Sequence, residues 1–252
     1  MLKYYIGLLV FLGVSNNLFA QKGLPPIQLD RPDQTECPYI VPKNHFQFES
    51  GFNFEKVSKD EENFLYPTLL TKYGVNDKFE LRLITEVRTN KVLNNKLNGL
   101  NPIKIGFKTK LAEERGLIPL TSFIAHLSLP FLSTKGFRST YYAPSFRFVM
   151  QHTLTEKMSL SYNIGAEWDG ESAEPTFIYT LTSGYSISER LGAYIELYGF
   201  VPQKDKSEHR TDGGFTFLVK RNIMLDISGG CGLTENAPNY YASLGFSIRL
   251  PN

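Results

Sequence analysis

Residues 44–56 read NHFQFESGFNFEK. Phe46, Phe48, Phe52 and Phe54 fall on one side of an extended chain; His45, Gln47, Glu49, Asn53 and Glu55 fall on the other. Successive strand side chains point to opposite faces, so this stretch is a strand with one apolar and one charged face. Two environments suit such a strand. One is a sheet packed on a protein core; the other is a barrel wall with lipid outside and water inside. The rest of the chain decides between them.

The alternation returns at 64–75, 79–89, 103–112, 120–129, 142–153, 158–168, 176–187, 191–200, 214–220, 223–231 and 240–250. Most of these runs are about ten residues long, against ~5–6 for ordinary soluble strands, and ten tilted residues cross an outer membrane. The links between them alternate in length. Short ones lie at 76–78, 113–116, 155–157, 188–190 and 220–222; longer polar ones lie at 57–63, 91–101, 130–140, 169–175, 201–212 and 233–238. Outer-membrane barrels have short periplasmic turns and longer external loops, whereas a soluble sandwich has no reason to gather its long loops at one end. The fold expected is therefore all-β, an up-and-down antiparallel transmembrane β-barrel of about 12 strands, with the phenylalanines facing lipid.

The polar faces agree. Glu49, Glu55, Arg82, Glu86, Arg88, Lys104, Lys108, Arg147, Glu167, Glu196 and Asp226 lie within the alternating runs, each beside at least one apolar residue. A charge turned to lipid at the midplane costs ~2–4 kcal/mol for Arg or Lys, so these residues are the candidate lumen lining. With Lys72, Lys110, Arg249 and Glu80 they make a nearly balanced set of signs, as in a cross-linked interior. Tyr66, Tyr73, Tyr142, Trp168, Tyr185 and Tyr240 fall near strand ends, where a barrel carries aromatic girdles.

The first twenty residues, MLKYYIGLLVFLGVSNNLFA, run from a lysine through an apolar stretch to a small residue, the order of a secretory signal peptide cleaved after Ala20. The apolar stretch is about half of the ~20 residues a helical span needs. This divides the chain into a leader at 1–20, a periplasmic extension at 21–43 and a barrel at 44–252, placed in a bacterial outer membrane. Net charge is +2, with no long basic block, so nucleic-acid binding has no electrostatic footprint. Cys37 and Cys231 do not amount to a disulfide framework. The extension is rich in proline and cannot be a central strand. Its charged residues Asp30, Arg31, Asp33 and Glu36 are the candidate plug: the segment either folds into the lumen mouth or remains a solvated tether.

DRPDQTE (30–36), PYIVPK (38–43) and FQFESGFNFE (46–55) resemble the start of the phenol-degradation meta-pathway (MetA-pathway) outer-membrane transporter family. IELYGF (195–200), DGGFTFLVKRNIMLDISGGCGL (212–233) and GFSIRL (245–250) are similar to its later parts. The resemblance implies an outer-membrane barrel passing small, often hydrophobic or aromatic, molecules. Cys37 and Asn44 depart from the small residues more usual there, and the chain ends on Leu250-Pro251-Asn252 rather than on an aromatic.

His45, His126, His152 and His209 have no metal-ligand spacing, and no glycine motif cradles phosphate, so no cofactor is expected. His126 and Ser128 share one face of a strand but have no third residue to orient them. The function expected is passive passage of small molecules without a covalent step, with membrane lipid and a small solute as the partners. A closed recognition barrel, a lipid-modifying enzyme and a soluble exported β-protein are the alternatives. Oligomeric state leaves no mark on the sequence.

Overall fold

The computed structural model describes residues 23–252; the leader expected at 1–20 lies outside them. Thirteen strands account for most of the described residues. They are β1 His45–Lys56, β2 Glu61–Asn76, β3 Phe79–Val92, β4 Asn95–Leu100, β5 Ile103–Ala112, β6 Leu120–Leu129, β7 Ala143–Thr153, β8 Met158–Glu167, β9 Thr176–Ser186, β10 Leu191–Pro202, β11 Glu208–Lys220, β12 Ile223–Gly232 and β13 Tyr240–Pro251.

Each strand pairs antiparallel with its sequence neighbour, and β1 pairs with both β2 and β13, so the sheet closes on itself. Closure removes the long free edges of an open sheet, while the short β4 pairs with β3 alone. β4 and β5 are one wall strand in two pieces. β4 zips onto the outer half of β3 (Val87↔Leu100), β5 onto the inner half (Leu83↔Ile105), and Asn101-Pro102 interrupts them because proline has no N–H for the ladder. The result is a closed twelve-stranded antiparallel barrel, the architecture expected.

Burial separates two faces. Leu81, Leu83, Ile105, Ile195, Leu197, Phe215, Phe217, Leu225, Ile227, Leu244 and Phe246 are exposed, while their strand neighbours Glu80, Arg82, Glu196, Thr216, Asp226 and Ser243 point inward and are buried or half-buried. A single sheet buries one face in this way only by curling around it. The phenylalanines of β1 lie on the outer face. Phe46 meets Tyr73, Phe54 meets Phe64 and Tyr240, and Phe52, still 40% exposed, meets Tyr66. Trp168 packs beside outward Phe146 at a ring distance of 6.5 Å.

Several loop boundaries differ from the sequence reading. Residues 91–101, expected as a polar link, form a hairpin with its tip at Leu93-Asn94, because alternating Lys91, Asn98 and Thr89 find cross-strand partners. Half of 201–212 is strand as well: β11 begins at Glu208, so Arg210 and Asp212 belong to the wall. The link between β5 and β6 runs over 113–119, longer than the outer turn 57–60, so the length rhythm is less regular than the composition suggested. Asn44 has φ 58° at the entry to β1, a left-handed conformation that glycine or asparagine adopts with least strain.

Candidate functional site

The barrel interior is occupied by the segment ahead of β1. Asp30 is its anchor. One oxygen of its carboxylate meets Lys72 Nζ at 2.8 Å and Arg82 Nη1 at 2.8 Å, and the other meets Lys108 Nζ at 2.7 Å. These cations come from β2, β3 and β5, and all three are buried. Glu36 adds a second carboxylate on Arg82 at 2.7 Å. The wall's own carboxylates are Glu49, 2.5 Å from Lys72, and Glu80, 3.1 Å from Arg82. They also accept the segment's backbone: Asp30 N–H and Arg31 N–H donate to Glu49, and Val41 N–H donates to Glu80. The wall alone therefore carries three cations against two anions here; Asp30 supplies the missing negative charge and Glu36 adds one more.

The opposite wall holds the segment differently. Glu196 on β10 accepts the N–H groups of Gln34 and Thr35, each at 2.8 Å, and the Thr35 hydroxyl at 2.5 Å; Thr180 and Thr182 join this network. Asn163 on β8 accepts from Glu36 N–H and donates to Glu36 O. Asp226 on β12 pairs with Arg31 at 3.1 Å. Glycine makes room for that pair: Gly51 and Gly245 stand opposite each other on β1 and β13, and a Cβ at either would run into the Arg31 guanidinium or the Asp226 carboxylate. A segment bonded to strands on opposite sides of a closed ring lies across its interior.

Two cavities flank it. One, of about 390 Å³, opens at the short-turn end between the segment and β7–β12, and its wall is rich in hydroxyls such as Thr153, Ser159, Ser161 and Thr182. The other, of about 440 Å³, opens at the long-link end, lined by Glu86, Arg88, Lys104, Phe137, Arg138 and Glu167 among others. Strand positions locate what separates them. On β7, Ala143 and Ser145 line the second cavity and Gln151 and Thr153 the first, leaving Arg147 and Val149 between. On β8, Glu167 lines the second and Ser159 and Ser161 the first, leaving Gly165 and Asn163. At that level Arg147 donates to Gln34 O at 2.8 Å and Asn163 grips Glu36. On this side of the ring residues 34–36 form the partition; against β2, β3 and β5 the Asp30 cluster does.

The remaining sequence-predicted residues scatter. Glu55 pairs with Arg210 at 2.9 Å near the long-link end, Glu86 accepts from Asn101, and Arg88 donates to Asn63. Asp33 lines the short-turn cavity. Arg210, Asp212, Tyr194, Tyr198 and Tyr241 also belong to the interior and escaped the sequence reading; Tyr241 donates to Asp212. The signal was the register of Phe215 and Phe217, which extends inward to 210 and 212. His126 accepts from Arg82 Nε at 3.1 Å, which occupies the nitrogen a general base would use. Cys37 and Cys231 are both free thiols. In the loop after β8, N–H groups of Ser172 and Glu171 donate to Asp169 and hold its carboxyl below the usual range.

A family model described as "Putative MetA-pathway of phenol degradation" matches residues 29–250. A search of curated proteins finds no match. Among solved structures, an outer membrane channel from Pseudomonas putida F1 superposes with a TM-score of 0.66 at 13% identity, covering 88% of this chain and 100% of that one. The KdgM porin gives 0.54 at 11%, covering 80% and 98%, and the NanC porin 0.53 at 11%, covering 81% and 100%. At these identities the likeness is one of fold.

Proposed function

The chain belongs to the family whose model spans its strands and the segment ahead of them, and on that premise we propose that it is an outer-membrane channel for passive passage of small molecules, restricted by its own N-terminal segment. The apolar outer face is solvated by lipid, the short turns face the periplasm and the long links face outward. Solutes of the hydrophobic or aromatic kind implied by the family enter at the long-link cavity and leave at the short-turn one. No bond is made or broken; charge and access set selectivity.

The observation that carries this reading is the pair of cavities divided by the N-terminal segment, with residues 34–36 on the β7–β8 side and the Asp30 cluster on the β3–β5 side. Deleting 21–38 and recording single channels in planar bilayers tests it. Conductance is expected to rise severalfold. Unchanged conductance ends the role of the segment, and failure of liposomes to swell with any sugar or aromatic solute favours a closed recognition barrel.

A further inference from the structure

Strands β1–β4 carry a charged row on their outer face at the long-link end. The ladder sets four side chains side by side: Lys56 opposes Glu62, Glu62 opposes Lys91, and Lys91 opposes Lys96. Followed the other way around the ring, the same row runs Tyr240, Cys231, Thr211 and Leu197, without a charge. Phe54 and Phe64 lie one outward step below the row, their rings 5.0 Å apart. Lys91 stands twelve residues beyond Phe79, the outward aromatic that starts β3 at the short-turn end. At ~3.3 Å per residue and a tilt of ~40° that is roughly 30 Å of height, just past an apolar band ~25 Å tall. The row therefore sits at the level of lipid headgroups.

Its charges do not cancel. Glu62 gives one oxygen to Lys56 Nζ at 2.9 Å and the other to Lys91 Nζ at 3.3 Å, so one carboxylate serves two ammonium groups. Lys96 makes no ion pair among the described residues. It faces Lys91 directly, where Cβ atoms stand ~4.5–5.5 Å apart and like charges repel. The turn between β1 and β2 adds Lys59 and Asp60, and it is tied to the tip of the β3–β4 hairpin by Leu93 N–H, which donates to Asp60 O at 2.8 Å. A hollow of about 390 Å³ opens among Lys56, Lys59, Glu62 and Lys91. Four lysines thus share two carboxylates, and an anion seated between Lys91 and Lys96 turns their repulsion into attraction. A soluble anion would use the lysines alone. A lipid uses the lysines for its headgroup and the aromatic rings below them for its chains.

We propose that this row is a binding site for a phosphate-bearing lipid of the outer leaflet, its phosphate held by Lys91 and Lys96 with Lys56 and Lys59 beside them, and its acyl chains against Phe54 and Phe64. The inference goes beyond the channel reading and shares with it only which end of the barrel faces outward. The chain, refolded in detergent, is incubated at low salt with diphosphoryl lipid A or with zwitterionic phosphatidylcholine, and retained lipid is counted by native mass spectrometry. Lipid A is expected to be retained at a concentration about tenfold lower or less. Lys91→Gln and Lys96→Gln are each expected to weaken its retention about fivefold, the share of one lysine at an anionic surface, and Glu62→Gln to strengthen it by a similar factor. The Glu62 variant reads as a gain, so a folding defect does not mimic it. Equal retention of the two lipids, retention indifferent to all three substitutions, or displacement of lipid A by equimolar glucose 1-phosphate overturns the proposal. Planar bilayers separate the two readings: a conducting barrel with no preference for the phosphorylated lipid sinks this site alone, and that preference in a barrel passing no solute sinks the channel alone.

Discussion

Asp30→Asn isolates the ion cluster that seats the N-terminal segment. Asp30 meets Lys72, Arg82 and Lys108 within 2.8 Å, and the substitution keeps its shape while removing its charge. Taking one partner from a buried ion pair costs ~3–5 kcal/mol. The low end applies, because Glu49 and Glu80 continue to neutralise the same cations. About 3 kcal/mol corresponds to a little over two powers of ten in the balance between seated and released segment. Planar-bilayer recordings should show the released, wide state roughly a hundredfold more often, and proteinase K should reach residues 21–43 correspondingly faster. Asp60→Asn, in an exposed turn, is the control. Wild-type gating together with wild-type protection in Asp30→Asn would refute the claim that this cluster seats the segment.

Gly51→Ala crowds the Arg31 guanidinium, the far end of a flexible side chain; barrel stability should change by less than about 1 kcal/mol in urea titration, while the segment becomes more susceptible to protease. Leu244→Lys places a cation on the exposed apolar face and should destabilise the folded barrel in bilayers by ~2–4 kcal/mol if the site lies at the midplane; gel-shift urea titrations read this directly. Denatured protein should take up two maleimides without prior reduction, since both thiols are free, and native protein should react faster at exposed Cys231. Asp169 has a folded pKa below its unfolded one, so its hold on the loop is complete above the unfolded value near 3.8 and is lost as pH falls through the folded value. Exchange of the Glu171 and Ser172 amides should accelerate only in that acid range.

Much of this architecture was legible because a barrel wall writes its two solvents into every second residue. Leu81-Arg82-Leu83 and Ile195-Glu196-Leu197 announce their faces without any knowledge of the fold. Arg210 and Asp212 were harder, since a charged, threonine-bearing stretch outside the apolar band looks the same in a strand as in a loop. The hairpin at 91–101 was hidden for the same reason: beyond the membrane the wall loses its greasy face. Partner choice was not legible at all. Asp30 and Glu196 are separated from their contacts by tens to hundreds of residues, and only the closed ring brings them together. The glycines at 51 and 245 carried no sequence signal either, being small for the sake of an arginine far away in the chain.

The seam of the ring joins the first wall strand to the last, from His45↔Pro251 to Lys56↔Tyr240. Twelve strands curl, yet none of the enclosure exists until the final dozen residues arrive. Until then Lys72, Arg82 and Lys108 lack a finished enclosure, and the leading segment has nothing to lie across. A polypeptide cut short anywhere before β13 would thus keep two raw borders and a half-made ionic knot, making it a marked target for periplasmic proteolysis. Completeness of synthesis is built into the geometry as a condition of survival.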